Sequence, residues 1–244
     1  MTRHVEPCMG TVFTIDIRDE GEWRAAIAEV VTWLHQVDAV FSIYRSDSDI
    51  SRIRRREIGI ADADPLVSEV LDRCLDMQRA TDGFFTARRD GAFDPTGLVK
   101  GWAVERASRL LLERGSRHHA INGGGDIQAV GGTAPGAPWR VGISDPHDKR
   151  RVVATVSGID LAVATSGTAE RGSHITNPYT GQPAAGLASV TVVGPALTAA
   201  DCYATAAFVM GTAAAAWLDA VPGYEAILVG TDGSAVRTRG CPVR

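Results

Sequence analysis

The pair of side chains best spaced to do chemistry is Asp201 and Thr205, in the stretch Ala200-Asp-Cys-Tyr-Ala-Thr205. Four positions apart, a carboxylate and a hydroxyl share one face of a helix whose neighbours are almost all alanine. Oxygen donors so placed suit a hard cation such as Mg²⁺, which keeps some of its waters and serves phosphate substrates. Asp201 equally fits an acidic residue favoured by the dipole near a helix N-terminus, and spacing does not separate the two.

Three further stretches carry possible chemistry. In Phe93-Asp-Pro-Thr-Gly-Leu-Val-Lys-Gly-Trp102 a polar turn opens a helix. Its free N–H groups and Lys100 offer positive charge where phosphate oxygens could sit, whereas Asp94 or Thr96 acting only as a helix cap is the plainer alternative. In Asn122-Gly-Gly-Gly-Asp126 three glycines let the backbone approach a flat or phosphorylated ligand. It is not a dinucleotide fingerprint, because Gln128 stands where another glycine is needed, and Lys100 lies in no Walker loop. The third stretch joins Ala164-Thr-Ser-Gly-Thr168 to Ser173-His-Ile-Thr-Asn-Pro-Tyr-Thr-Gly181, where His174 sits among polar turn residues rather than on an apolar helical face. His118 and His119 begin a strand and read as structural or surface residues.

The elements that must hold these stretches follow from hydrophobic period. Phe13, Ile15 and Ile17 alternate with polar residues over 11–17, a half-buried strand. Trp23, Ile27, Val30, Leu34, Val37 and Phe41 recur at three and four, an amphipathic helix over 22–41. Residues 42–60 are polar. Asp64-Pro65 then starts a helix that stops near Asp82-Gly83, and another runs over about 98–114 to Gly115. Short strands are expected at 119–122, 127–130, 139–143, 151–156, 160–164 and 189–193. An alanine-rich helix over about 199–219 leads to a strand at 226–230 and a hairpin through Asp232-Gly233. This irregular alternation predicts an α+β fold with largely antiparallel sheets rather than a doubly wound parallel sheet. The whole of 1–244 reads as one unit, in one domain or two closely joined subdomains.

Bulk properties exclude some functions. A net charge of −4 argues against a broadly basic nucleic-acid surface, and the Arg52, Arg54, Arg55 and Arg56 cluster reads as a solvated helix end with no interleaved aromatics. Cys8, Cys74, Cys202 and Cys241 form no Cys-x-x-Cys pair, so neither a zinc knuckle nor a redox dithiol is expected. Residues 1–10 lack the apolar core of a signal peptide, and no apolar run is long enough to span a bilayer. A cytoplasmic location is the expectation.

Taken in order, these stretches resemble the FAD:protein FMN transferases, the ApbE-like flavin transferase family. The resemblance also takes in Met9-Gly-Thr11, Phe41-Ser-Ile-Tyr44 and Ser48-Asp-Ile-Ser51, so it covers nearly the whole chain. It implies a cleft that binds FAD with its pyrophosphate on Mg²⁺. By motif, Asp201, the Thr205 hydroxyl and the Gly97 carbonyl would be the metal ligands. Met9, Tyr44, Asp94, Lys100 and Thr176 would contact FAD, and Phe84, Phe85 and Thr86 would line the same cleft. Gly124, Gly125 and Asp126 would lie near the nucleotide, and His174 would be the acid–base residue. The implied reaction moves FMN to a serine or threonine hydroxyl of an acceptor protein with an FMN-binding domain, releasing AMP. Hydrolysis of FAD by water and non-catalytic flavin storage are the competing readings. The chain departs from its relatives in a short connection between Thr86 and Asp94 and in Arg54, where asparagine is common.

Overall fold

The computed structural model describes residues 1–89, 91–168 and 175–243. The first hairpin joins β1 (Thr2–Cys8) to β2 (Thr11–Ile17), antiparallel, with Cys8 opposite Thr11. Its two-residue turn is Met9-Gly10, with φ of 51° and 68°, the double positive-φ turn whose twist matches the strands it connects. β2 has the expected boundaries, and Phe13, Ile15 and Ile17 form its buried side. β1 is an addition to the expected elements: its exposures alternate without an apolar face, so only pairing with β2 defines it.

α1 (Arg24–Phe41) buries the stripe of Ile27, Val30, Leu34, Val37 and Phe41. The polar stretch after it contains a short helix, α2 (Asp49–Arg54), which begins where the Ser48 hydroxyl accepts the Ser51 N–H at 3.1 Å. α3 (Pro65–Ala80) starts as the sequence predicts, with Asp64 accepting the Leu66 N–H at 2.9 Å and proline in its first turn. The short connection before Asp94 folds as a minimal hairpin, β3 (Arg88–Arg89) and β4 (Ala92–Phe93), that delivers the chain to α4 (Thr96–Glu113).

Next come β5 (His119–Gly123), β6 (Asp126–Val130), β7 (Trp139–Ser144), β8 (Val152–Gly158), β9 (Leu161–Gly167) and β10 (Leu187–Gly194). The expected 199–219 helix is divided. α5 (Leu197–Met210) stops at Gly211, whose φ is 70°, and one 3-10 turn separates it from α6 (Ala214–Leu218). Because apolar residues lie on both sides of the break, apolar period does not mark it, and Gly211 is the signal. β11 (Glu225–Gly230) and β12 (Ala235–Arg237) close the chain as the expected hairpin.

Eight strands form one sheet in the order β1-β2-β5-β6-β9-β10-β11-β12, with every pairing antiparallel. The helices cover one face through a core that includes Phe13, Leu34, Trp102, Ile121, Val192 and Phe208. The separate β7–β8 hairpin covers part of the other, packing Trp139, Ile143 and Val156 on Leu161, Val163 and Ile227. Covered on both faces, β9 and β10 are buried at nearly every position, most of their few polar side chains included. The α+β expectation holds. Among the described residues, no helix is long and apolar enough to cross a membrane.

His119 has a structural place beneath α4. Buried between the Ser108 and Ser116 hydroxyls, at 2.8 and 2.9 Å, it is pushed down to a pKa of about 4 by burial.

Candidate active site

The helices α4 and α5 meet at Gly101. A Cβ there would lie 2.9 Å from the Asp201 Cβ and 3.0 Å from the Leu197 carbonyl oxygen, so a larger residue would force the helices apart. The Gly101 N–H donates to Asp201 Oδ2 at 3.2 Å, outside the helix's own ladder. One turn beyond Asp201, the Thr205 hydroxyl lies 3.1 Å from Ser166 Oγ on β9. Ser166 is a site residue whose role the sequence did not announce. Its signal is alternation, because Ala162, Ala164 and Ser166 share the strand face that α5 covers.

Lys100, one residue before Gly101, packs its ammonium against Asp126 Oδ2 and sits 3.8 Å from Asp201 Oδ2. Asp126 is 2% exposed, and its other oxygen accepts the Thr165 N–H at 3.0 Å. A buried carboxylate needs such partners to stay charged. Gly124 and Gly125, with φ of 60° and 98°, turn the chain into Asp126, and a Cβ on Gly124 would meet the Thr11 hydroxyl at 2.7 Å. Asp126, Lys100, Asp201 and Thr205 form the floor of a cleft of about 1520 Å³.

Gly97, an exposed residue in the first turn of α4, lines the same cleft. A carboxylate, a hydroxyl and a backbone carbonyl are hard oxygen donors. Among the described residues no group of three or more His, Cys, Asp or Glu is arranged to hold a metal. Oxygen donors of this kind suit a cation such as Mg²⁺ better than a metal that prefers thiolate or imidazole.

Asp94 lies at the entry to α4. Its Oδ1 caps α4 by accepting the Thr96 N–H at 3.2 Å and hydroxyl at 2.7 Å, and the residue also lines the cleft. Arg54 reaches its Oδ2 at 3.4 Å and Arg89 at 3.9 Å. One member of the basic cluster thus turns inward, while Arg52 and Arg55 pair at the surface with Asp49 and Glu57 as a solvated helix end does.

The rim holds Met9 at its hairpin turn, Tyr44 at 87% exposure, and Phe84, Thr86 and Thr176. Phe85 corrects an expectation. It is 1% exposed and packs in the core behind Gly97, because three consecutive residues cannot all face one side and the middle one turns inward. His174 lies outside the described residues. Its neighbours in sequence, Ile175 and Thr176, line the cleft.

A model of the ApbE family matches residues 9–95 and 86–228. The chain belongs to the ApbE family. A relative from Salmonella typhimurium named FAD:protein FMN transferase is 30% identical over 155 residues, covering 59% of this chain and 44% of that protein. The chain thus spans less than half the length of this relative. A Treponema pallidum protein of the same name is 26% identical over 310 aligned positions, covering 93% of this chain and 84% of its own. Among solved structures, the flavin transferase ApbE of Vibrio cholerae superposes with a TM-score of 0.83 over 98% of this chain and 97% of that one, at 24% identity. The ApbE protein of Thermotoga maritima gives 0.81 at 21% identity. The ApbE fold is therefore shared in full.

Proposed function

We propose that this protein transfers the FMN half of FAD to a serine or threonine hydroxyl of an acceptor protein, releasing AMP. The observation that carries the reading is the convergence of Asp201, Thr205, Gly97, Lys100 and Asp126 on one cleft, about 1520 Å³, roomy enough for a dinucleotide. The names of the Salmonella and Treponema relatives support the same reaction.

Asp201, Thr205 and the Gly97 carbonyl would hold Mg²⁺, which when bound neutralises pyrophosphate charge and polarises its oxygens. Lys100 is a compact cation held between two carboxylates, so its ammonium is aimed before substrate arrives. Asp126 does the aiming, since its second oxygen is fixed by the Thr165 N–H. The Asn122–Asp126 glycine turn leaves backbone space for the nucleotide, and the rim side chains Met9, Tyr44, Phe84 and Thr176 would grip the flavin half. His174 would take the proton of the acceptor hydroxyl as its oxygen attacks the FMN-side phosphorus. The bond to the AMP phosphate breaks, AMP leaves, and FMN stays as a phosphoester.

The test is incubation of the protein with FAD, Mg²⁺ and a threonine-bearing peptide from an FMN-binding domain, following AMP and peptide mass. AMP together with an FMN-sized adduct is expected. AMP without an adduct across several acceptors would replace transfer by hydrolysis, and tight FAD binding without AMP would leave a storage protein. His174→Ala should keep FAD affinity while slowing AMP release.

A further inference from the structure

The turn over 175–184 is bonded mainly to itself. The Ala184 N–H donates to the Ile175 carbonyl at 2.9 Å, Asn177 N–H to the Gln182 carbonyl at 2.8 Å, and Gly181 N–H to the Asn177 carbonyl at 2.8 Å. Asn177 Oδ1 accepts the Tyr179 and Thr180 N–H groups at 2.9 and 3.3 Å. Ile175 and Ala184 pack on the main core, but residues 178–183 are all exposed. Among the described residues, one hydrogen bond ties this exposed tip to the rest of the protein, from the Tyr179 hydroxyl to the Asp82 carbonyl.

The receiving surface is shaped for that contact. The Tyr179 ring, itself 64% exposed, meets Phe84 edge to face, with centroids 5.1 Å apart and planes at 64°. Between Asp82 and Phe84, Gly83 has a φ of 79°, and a Cβ on it would lie 2.8 Å from the Tyr179 hydroxyl oxygen. Gly83 thus serves twice, for its backbone conformation and for the space it leaves. Gly83, Phe84, Thr176 and Tyr179 all line the same cleft.

We infer that Tyr179 is a positioning residue: by docking on the Asp82–Phe84 turn it fixes the 175–184 turn at the cleft wall and so places Thr176 for the flavin nucleotide. The contact stands on geometry alone, whereas its catalytic consequence rests on the FMN-transfer reading above.

The experiment compares the full chain with Tyr179→Phe, which keeps the ring pair and loses the hydroxyl bond, and Tyr179→Ala, which loses both. Amide hydrogen exchange at Asn177, Gly181 and Ala184 is read beside thermal unfolding and steady-state AMP release. Exchange should rise about tenfold in Tyr179→Ala and less in Tyr179→Phe, the scale of one hydrogen bond and one aromatic pair. The Tm should hardly move, because the ring is mostly solvated. KM for FAD should rise about tenfold in Tyr179→Ala with kcat little changed, since Thr176 is expected to bind rather than react. Exchange and KM both within twofold of the parent in Tyr179→Ala would overturn the inference, as would a loss confined to Tm. If the parent releases no AMP, FAD affinity measured by flavin fluorescence takes the place of KM. A parent that fails even to bind FAD sinks the proposed reaction, while exchange still decides the Tyr179 contact.

Discussion

The floor and the rim of the cleft are built on opposite terms. Asp126 and Asp201 are buried, each takes a backbone N–H from a different element, and Gly101 and Gly124 permit approaches that no side chain would allow. Tyr44 and Tyr179 lie mostly in water, and the tip carrying Tyr179 is tied across by one hydrogen bond and one ring contact. A floor of this kind arranges charge ahead of the reaction, which is where electrostatic catalysis is strongest. A rim of this kind can adjust to a partner at small cost to the fold.

The comparison breaks most severely at Asp201. Asp201→Asn keeps the shape and removes the charge, and AMP release should fall about 10²–10³-fold. A fall below tenfold in that assay would remove Asp201 from the chemistry. The scaffold under the floor has its own signature through His119. Its folded pKa, about 4, lies below the unfolded value near 6.5. The unfolded chain therefore takes up the proton first as pH falls. The stability this difference confers is complete above about pH 6.5 and is lost toward pH 4, a total of about 3 kcal/mol. Urea unfolding between those limits should show the loss, and His119→Asn should flatten it. Gly101→Ala should destabilise the α4–α5 contact by about 1–3 kcal/mol in thermal unfolding, the usual cost of overpacking. A neutral result there would mean the helices can part freely. Smallest is the rim. Tyr44→Ala should change stability by no more than about 0.5 kcal/mol and weaken FAD binding roughly fivefold in a fluorescence titration.

What could be read in the sequence was whatever a local pattern encodes. The β2 boundaries, the Asp64-Pro65 start of α3 and the Asp232-Gly233 hairpin each rest on residues close together in the chain. β1 had no apolar face to betray it, and the α5 break is concealed by apolar residues on both sides of Gly211. α2 falls in the stretch read only as polar, because six residues are too few for a period to declare itself. At the site, the Asp201 and Thr205 pairing is local and legible. The links from Arg54 to Asp94, from Ser166 to Thr205 and from Thr165 to Asp126 cross the chain, and nothing in either local stretch names its partner. Phe85 erred for the reverse reason: membership in a motif was taken for the direction of its side chain.

The hydrogen bond from Gly101 to Asp201 closes a span of 100 residues. While the chain is being synthesised, every segment that supplies Lys100 and Asp126 can be finished and the floor still be missing the Asp201 carboxylate. Only when α5 has emerged and docked does the cleft acquire all its charges, and long-range contacts of this kind are the slow ones in folding.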